Sequence, residues 1–163
     1  MKIRFEAGLA AAALGLAALL TLPSVAQATE TQFKLVLSGK QETPPNTTKG
    51  KGRGTASYDD QTHTLSYNIT YSGLTGDATA AHFHGPAKPG QSAPPTVPID
   101  KTGLASPITG TATLTDDQAT QLLAGQWYFN VHTASNPNGE IRGQVRKAPG
   151  KPVPTAAPAP AGQ

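Results

Sequence analysis

The chain has 163 residues, with 13 Lys and Arg against 10 Asp and Glu, 17 glycines, 15 prolines and no cysteine. Its length fits one domain, and with 37% hydrophobic and 14% charged residues it is too weakly charged for a disordered chain. The missing cysteine excludes disulfides, thiolate zinc, iron–sulfur and blue-copper sites and a cysteine nucleophile, so any chemistry falls to His, carboxylate, Arg, Tyr or backbone groups.

Residues 1–28 read as a secretory signal: Lys2 and Arg4 are basic, Leu9 to Leu20 is an Ala/Leu run, and Pro23 and Ser24 precede the Ala26-Gln27-Ala28 cleavage pattern. The apolar run is roughly a dozen residues where a bilayer span needs about 20. Cleavage after Ala28 is therefore expected, with a periplasmic or secreted product that is not inserted in the membrane. At the other end, residues 147–163 are rich in Pro and Ala and are expected to form an extended, disordered tail. Between them, residues 29–146 carry nine basic and nine acidic side chains. This formal neutrality argues against nucleic acid as a partner, and the one basic cluster, Lys49-Gly50-Lys51-Gly52-Arg53, reads as a loop.

Alternation with a period of two dominates the rest. Gln32 to Ser38 is a first strand, followed by a loop at Glu42-Thr43-Pro44-Pro45. Gly54–Tyr58 and His63–Tyr71 flank a turn at Asp59-Asp60-Gln61, with Leu65, Tyr67, Ile69 and Tyr71 on one face. Ala78–His84 is the next strand, stopped by Gly85-Pro86. The proline-rich stretch to Pro107 is mainly loop, with a short edge piece at Val97-Pro98-Ile99. After a strand at Ile108–Leu114, Thr115-Asp116-Asp117-Gln118 matches a capping box, Ala119, Leu122 and Leu123 make an apolar stripe, and Gly125 is placed to end a helix near 115–124. Gln126–Thr133 and Glu140–Arg146 are the last strands, joined by a turn at Asn136-Pro137-Asn138-Gly139. About seven or eight short strands and one helix predict an all-β fold, an antiparallel β-sandwich or Greek-key barrel.

Strand parity then selects the candidate chemistry. His82 and His84 are two apart, so they project from one face while Ala81 and Phe83 take the other. In 126–133, Trp127, Phe129 and Val131 are the apolar face and Tyr128, Asn130 and His132 the polar one; in the last strand Ile141 and Val145 oppose Glu140, Arg142 and Gln144. If those strands are neighbours, His132 meets His82 and His84, and three imidazoles from two strands suit Cu²⁺ or Zn²⁺ with an open position. Met1 leaves with the signal, so no thioether remains and only N and O ligands are left. The other reading of these histidines is a hydrogen-bonded polar network without metal. His63 reads as a structural or surface residue, and Glu140 with Arg142 as an ion pair. No second carboxylate, nucleophile elbow or zincin helix supports hydrolysis.

Several stretches together resemble the CHRD domain, the module named after chordin: Leu37-Ser38-Gly39 with Gln41-Glu42-Thr43-Pro44-Pro45, Tyr71-Ser72-Gly73-Leu74, Ala80 to Ala87 around His82-Phe83-His84, Leu123-Ala124-Gly125, Tyr128 to Ala134, and Asn136 to Gln144. The match covers about residues 33–146 and implies an all-β domain outside the cytoplasm. A looser similarity is to copper–zinc superoxide dismutase, also a Greek-key barrel with a His-x-His copper pair and a later copper-binding His. It implies copper at His82, His84 and His132 and an anion-attracting role for Arg142. The bridging histidine, the zinc set and the cysteines of that enzyme are missing. The expectation is thus an exported CHRD domain at 29–146 that binds a metal, copper before zinc, through His82, His84 and His132. Tyr128, Asn130, Glu140 and Arg142 would be weak ligands or orienting groups. Capture or delivery is expected rather than catalysis, with a metal-free adhesion module and a dismutase-like enzyme as the alternatives.

Overall fold

A computed structural model describes residues 29–150 and the backbone of residues 153 and 154; the expected signal and most of the expected tail lie outside the described residues. The alternating segments become strands β1 (Thr29–Ser38), β2 (Lys51–Asp59), β3 (Thr64–Ser72), β4 (Ala78–His84), β5 (Pro95–Pro98), β6 (Ile108–Thr113), β7 (Tyr128–Thr133) and β8 (Asn136–Gln144). Two short strands, β9 (Arg146–Lys147) and β10 (Val153–Pro154), two 3-10 turns at Gly39–Gln41 and Lys101–Gly103, and one α-helix, α1 (Asp116–Leu123), complete the set. The main strands pair antiparallel in the order β5-β4-β7-β8-β1-β2-β3-β6. They curl into a nearly closed barrel, the all-β architecture that the alternation predicts. Among the described residues no helix is long and apolar enough to cross a membrane.

One parity of each strand fills the barrel. Phe33, Leu35 and Leu37 from β1, Leu65 and Ile69 from β3, Phe129 and Val131 from β7 and Ile141 from β8 are all buried. Phe83 on β4 lies at the centre, its ring 4.8 Å from Phe129 and 5.2 Å from Tyr67 between centroids, in edge-on contacts that suit the aromatic quadrupole. This inward commitment of Ala81 and Phe83 leaves His82 pointing outward. Helix α1 forms as its capping box requires: Thr115 Oγ1 accepts from Gln118 N–H, and Gln118 Oε1 accepts from Thr115 N–H at 3.0 Å. Ala119 and Leu122 are buried beneath it, and Gly125 ends the segment at φ 72°, where a side chain would be strained.

Three segments differ from the sequence reading. Lys51 and Arg53 are not in a loop but begin β2, exposed on its outer side. The intervening Gly52 and Gly54 face inward, where a Cβ would press on Leu37 and on Ile69; glycine is what the packing tolerates there, although it reads as a loop signal. The reversal between the last two long strands is made at Ala134–Ser135, with Thr133 paired to Asn136. Asn136-Pro137-Asn138-Gly139 instead belongs to β8. The register jumps from Thr133↔Asn136 to Val131↔Ile141, so the strand bulges there, with Gly139 at φ 123°. Finally, Lys147 pairs with Phe33, and Val153 and Pro154 pair with Glu30 and Thr29, so part of the segment expected as tail lies along β1.

Candidate metal centre

Strands β4 and β7 are direct neighbours, with His82 opposite Asn130, His84 opposite Tyr128 and His132 opposite Ala80. The three histidines that parity selected therefore meet on the outer side of the barrel. Each can offer one ring nitrogen such that all three atoms lie within 4.8 Å of one another. His82 Nδ1 is 3.2 Å from His132 Nε2, and the Asn130 side chain sits between His132 and His84, its Oδ1 3.0 Å and 2.9 Å from their Nε2 atoms.

The outer nitrogens of two rings are already spoken for. His84 Nδ1 is 2.9 Å from the Ala93 carbonyl, and His132 Nδ1 is 2.9 Å from the Pro137 carbonyl. A carbonyl oxygen only accepts, so both Nδ1 atoms donate, and in a neutral imidazole each Nε2 is left with a lone pair. Burial lowers the pKa of all three histidines, and for His82 the neighbouring His132 and His84 add to the effect, so the neutral form is favoured. Two Nε2 lone pairs and the Asn130 oxygen thus converge on one point. His82 Nδ1–H can donate to His132 Nε2 at 3.2 Å, whereas the facing acceptors His84 Nε2 and Asn130 Oδ1 are reconciled either by a turn of the Asn130 amide, which then donates, or by a cation among them. The donor set is all nitrogen and oxygen, which fits Cu²⁺ or Zn²⁺ and not a soft Cu(I) site.

A family model for the CHRD domain matches residues 33–145. The chain belongs to the CHRD-domain family. No curated protein and no solved structure was found to match it.

The remaining groups of this CHRD domain divide into two. Tyr128 lies flat on His84, ring centroids 4.7 Å apart and planes 4° from parallel, and the Arg142 guanidinium lies 3.4 Å from the Tyr128 centroid. Arg142 Nη2 donates to the Gln91 carbonyl at 2.6 Å and Nη1 to Thr43 Oγ1 at 3.2 Å, while Tyr128 Oη and His84 both reach the Ala93 carbonyl. Arg142 therefore anchors the loop that orients His84. It is 2% exposed with both terminal nitrogens engaged, so it is not open to attract an anion as in a dismutase.

Glu140 is not brought to the histidines. It is fully buried on the other side of the bulge, where its carboxylate accepts from the Thr48, Thr75 and Thr133 hydroxyls, the Thr75 N–H and the Asn136 amide. Burial alone would raise its pKa, but these donors outweigh it and hold it at about 2. Among the described residues it makes no ion pair with Arg142, which corrects the pairing read from their shared parity. The bulge rotates Glu140 out of the alternation that the sequence reading assumed.

The carboxylate beside Arg142 is Glu42, unrecognised in the sequence because it lies in a loop without period. It is buried, and burial pushes its pKa up to about 7 against the opposing charge of Arg142 and the Thr43 N–H. His63 stands apart near the surface, its Nδ1 3.4 Å from Tyr58 Oη and 3.3 Å from an Asp116 carboxylate oxygen.

Proposed function

We propose that this CHRD domain is an exported metal-binding module that captures or delivers copper through His82, His84 and His132. One observation carries the reading: the Ala93 and Pro137 carbonyls hold two imidazoles in the tautomer whose Nε2 lone pairs face each other across Asn130 Oδ1. Backbone carbonyls on the distal nitrogen are the usual means of fixing a ligating histidine. Copper is favoured over zinc because, for the same nitrogen and oxygen donors, divalent copper binds more tightly. Export is supported by the basic and apolar leader at 1–28.

The test is Cu²⁺ titration of the mature protein followed by electron paramagnetic resonance. A single nitrogen-coordinated signal is expected, changed by His82→Ala and His132→Ala and weakened about tenfold or more in affinity by Asn130→Ala. A spectrum that neither histidine substitution changes would sink the site. The metal-free alternative satisfies the same groups by turning the Asn130 amide, and it predicts no thermal shift on adding Cu²⁺ or Zn²⁺. Superoxide dismutation is a further outcome of the loaded protein's assay; the engaged state of Arg142 counts against it.

A further inference from the structure

The domain is formally neutral, yet its charges are segregated. On the outer side of β1, Lys34, Val36 and Ser38 stand opposite Thr55, Arg53 and Lys51 of β2, and these stand opposite Asn68, Thr70 and Ser72 of β3. On the other flank Arg146 of β9 stands directly opposite Lys34. Lys34, Lys51, Arg53 and Arg146 are all exposed, and among the described residues none has a carboxylate within 4.0 Å. Like charges placed opposite each other are destabilising, so a face that keeps Arg146 beside Lys34 without a counter-charge is one that an external anion would relieve. The acids of this face, Glu30 and Asp59, pair opposite each other at the far end of the β1–β2 ladder.

The face is also hollowed. Two adjoining depressions of about 740 and 430 Å³ share Val36, Arg53 and Thr70 and run from Lys51 and Ser72 to Lys34 and Asn68. Val36, 68% exposed, is the large apolar side chain most open to solvent among the described residues, and hydroxyls and an amide surround it. From the Lys51 row to the Lys34 row the cations spread over about 13 Å of strand. They do not converge on one point, as they would for a single small anion.

We propose that this outer face of β9, β1, β2 and β3 binds an acidic polysaccharide. Uronate carboxylates meet Lys34, Lys51, Arg53 and Arg146, sugar hydroxyls meet Thr55, Asn68, Thr70 and Ser72, and the C–H face of a ring lies on Val36. A membrane would need more apolar surface to insert, and single-stranded nucleic acid would need exposed aromatic rings to stack on. Tyr71, the one aromatic bordering the groove, is half-buried with its hydroxyl bonded to the Leu104 carbonyl. The surface is separated from the histidines by β8 and owes nothing to metal.

The experiment measures retention of the full mature protein on immobilised polygalacturonate, with neutral dextran, duplex DNA and phosphatidylglycerol-containing vesicles as comparisons. The expected result is binding to polygalacturonate that weakens as salt rises, is absent on dextran, and falls about tenfold or more in Lys34→Glu/Arg53→Glu. The milder Lys34→Gln/Arg53→Gln should fall less, and His82→Ala should bind as the parent does. Unchanged binding in both double variants at intact thermal stability overturns the proposal. So does equal affinity for DNA or vesicles at the same salt, which would make the face a general polycation.

Discussion

Glu42→Gln isolates the least comfortable group in the domain. The Glu42 carboxyl is 7% exposed, its Oε1 has no hydrogen-bond partner among the described residues, and it lies against Gly139, where an added Cβ would come within 2.6 Å of that oxygen. Its pKa rises from 4.5 to about 7, a shift of about 2.5 units, which at 1.36 kcal/mol per unit is a ceiling of about 3 kcal/mol. The folded protein keeps this proton between pH 4.5 and about 7, where the unfolded chain has released it. Stability therefore falls as pH rises through that window, with the cost absent below 4.5 and complete above about 7. Glutamine has the same shape and no charge to desolvate. In urea unfolding, the variant should match the parent near pH 4 and exceed it by up to about 3 kcal/mol at pH 8, less whatever water at the cleft screens. His82, His84 and His132 pull the other way: their lowered pKa values make stability rise with pH up to the unfolded value near 6.5. They are common to both proteins and cancel in the difference at each pH. A difference that stays flat, or a parent that gains on the variant as pH rises, would refute the reasoning, because it would mean that attraction to Arg142 balances desolvation in the first case and outweighs it in the second.

Glu140 should behave in the opposite sense. Its pKa is held at about 2, so its contribution is complete above the unfolded value near 4.5 and is lost as pH falls toward 2. Glu140→Ala strands the Thr48, Thr75, Thr133 and Asn136 donors and should cost about 3–5 kcal/mol in urea unfolding at pH 7; a loss under 1 kcal/mol would show that water replaces the carboxylate freely. Gly85→Ala places a methyl group into the Trp127 indole, which is fully buried. A cost of about 1–3 kcal/mol and a lower Tm are expected, and an unchanged Tm would mean that the indole has room to move.

Side-chain direction was legible and long-range neighbourhood was not. Period-two alternation assigns His82, His84 and His132 to the outer surface because Phe83, Phe129 and Val131 must go inward, and that much follows from local composition. The pairing that brings the two stretches together is a property of the whole sheet: β4 reaches β7 across a chain separation that holds β5, β6 and α1. The register within that pairing is regular from His84↔Tyr128 to Ala80↔His132, which sets His132 diagonal to His82, and it breaks only beyond them, between Ala78 and Ala80. Parity failed where the backbone stopped alternating. Asn136-Pro137-Asn138-Gly139 has the composition of a turn, and the chain spends it on a bulge. Proline has no N–H to give to the ladder, and here its carbonyl is free to accept from His132 Nδ1. The same bulge turns Glu140 away from Arg142 into its cluster of threonine hydroxyls and brings Gly139 against Glu42. One break in the alternation thus both orients a candidate ligand and separates the two residues that simple alternation would have paired.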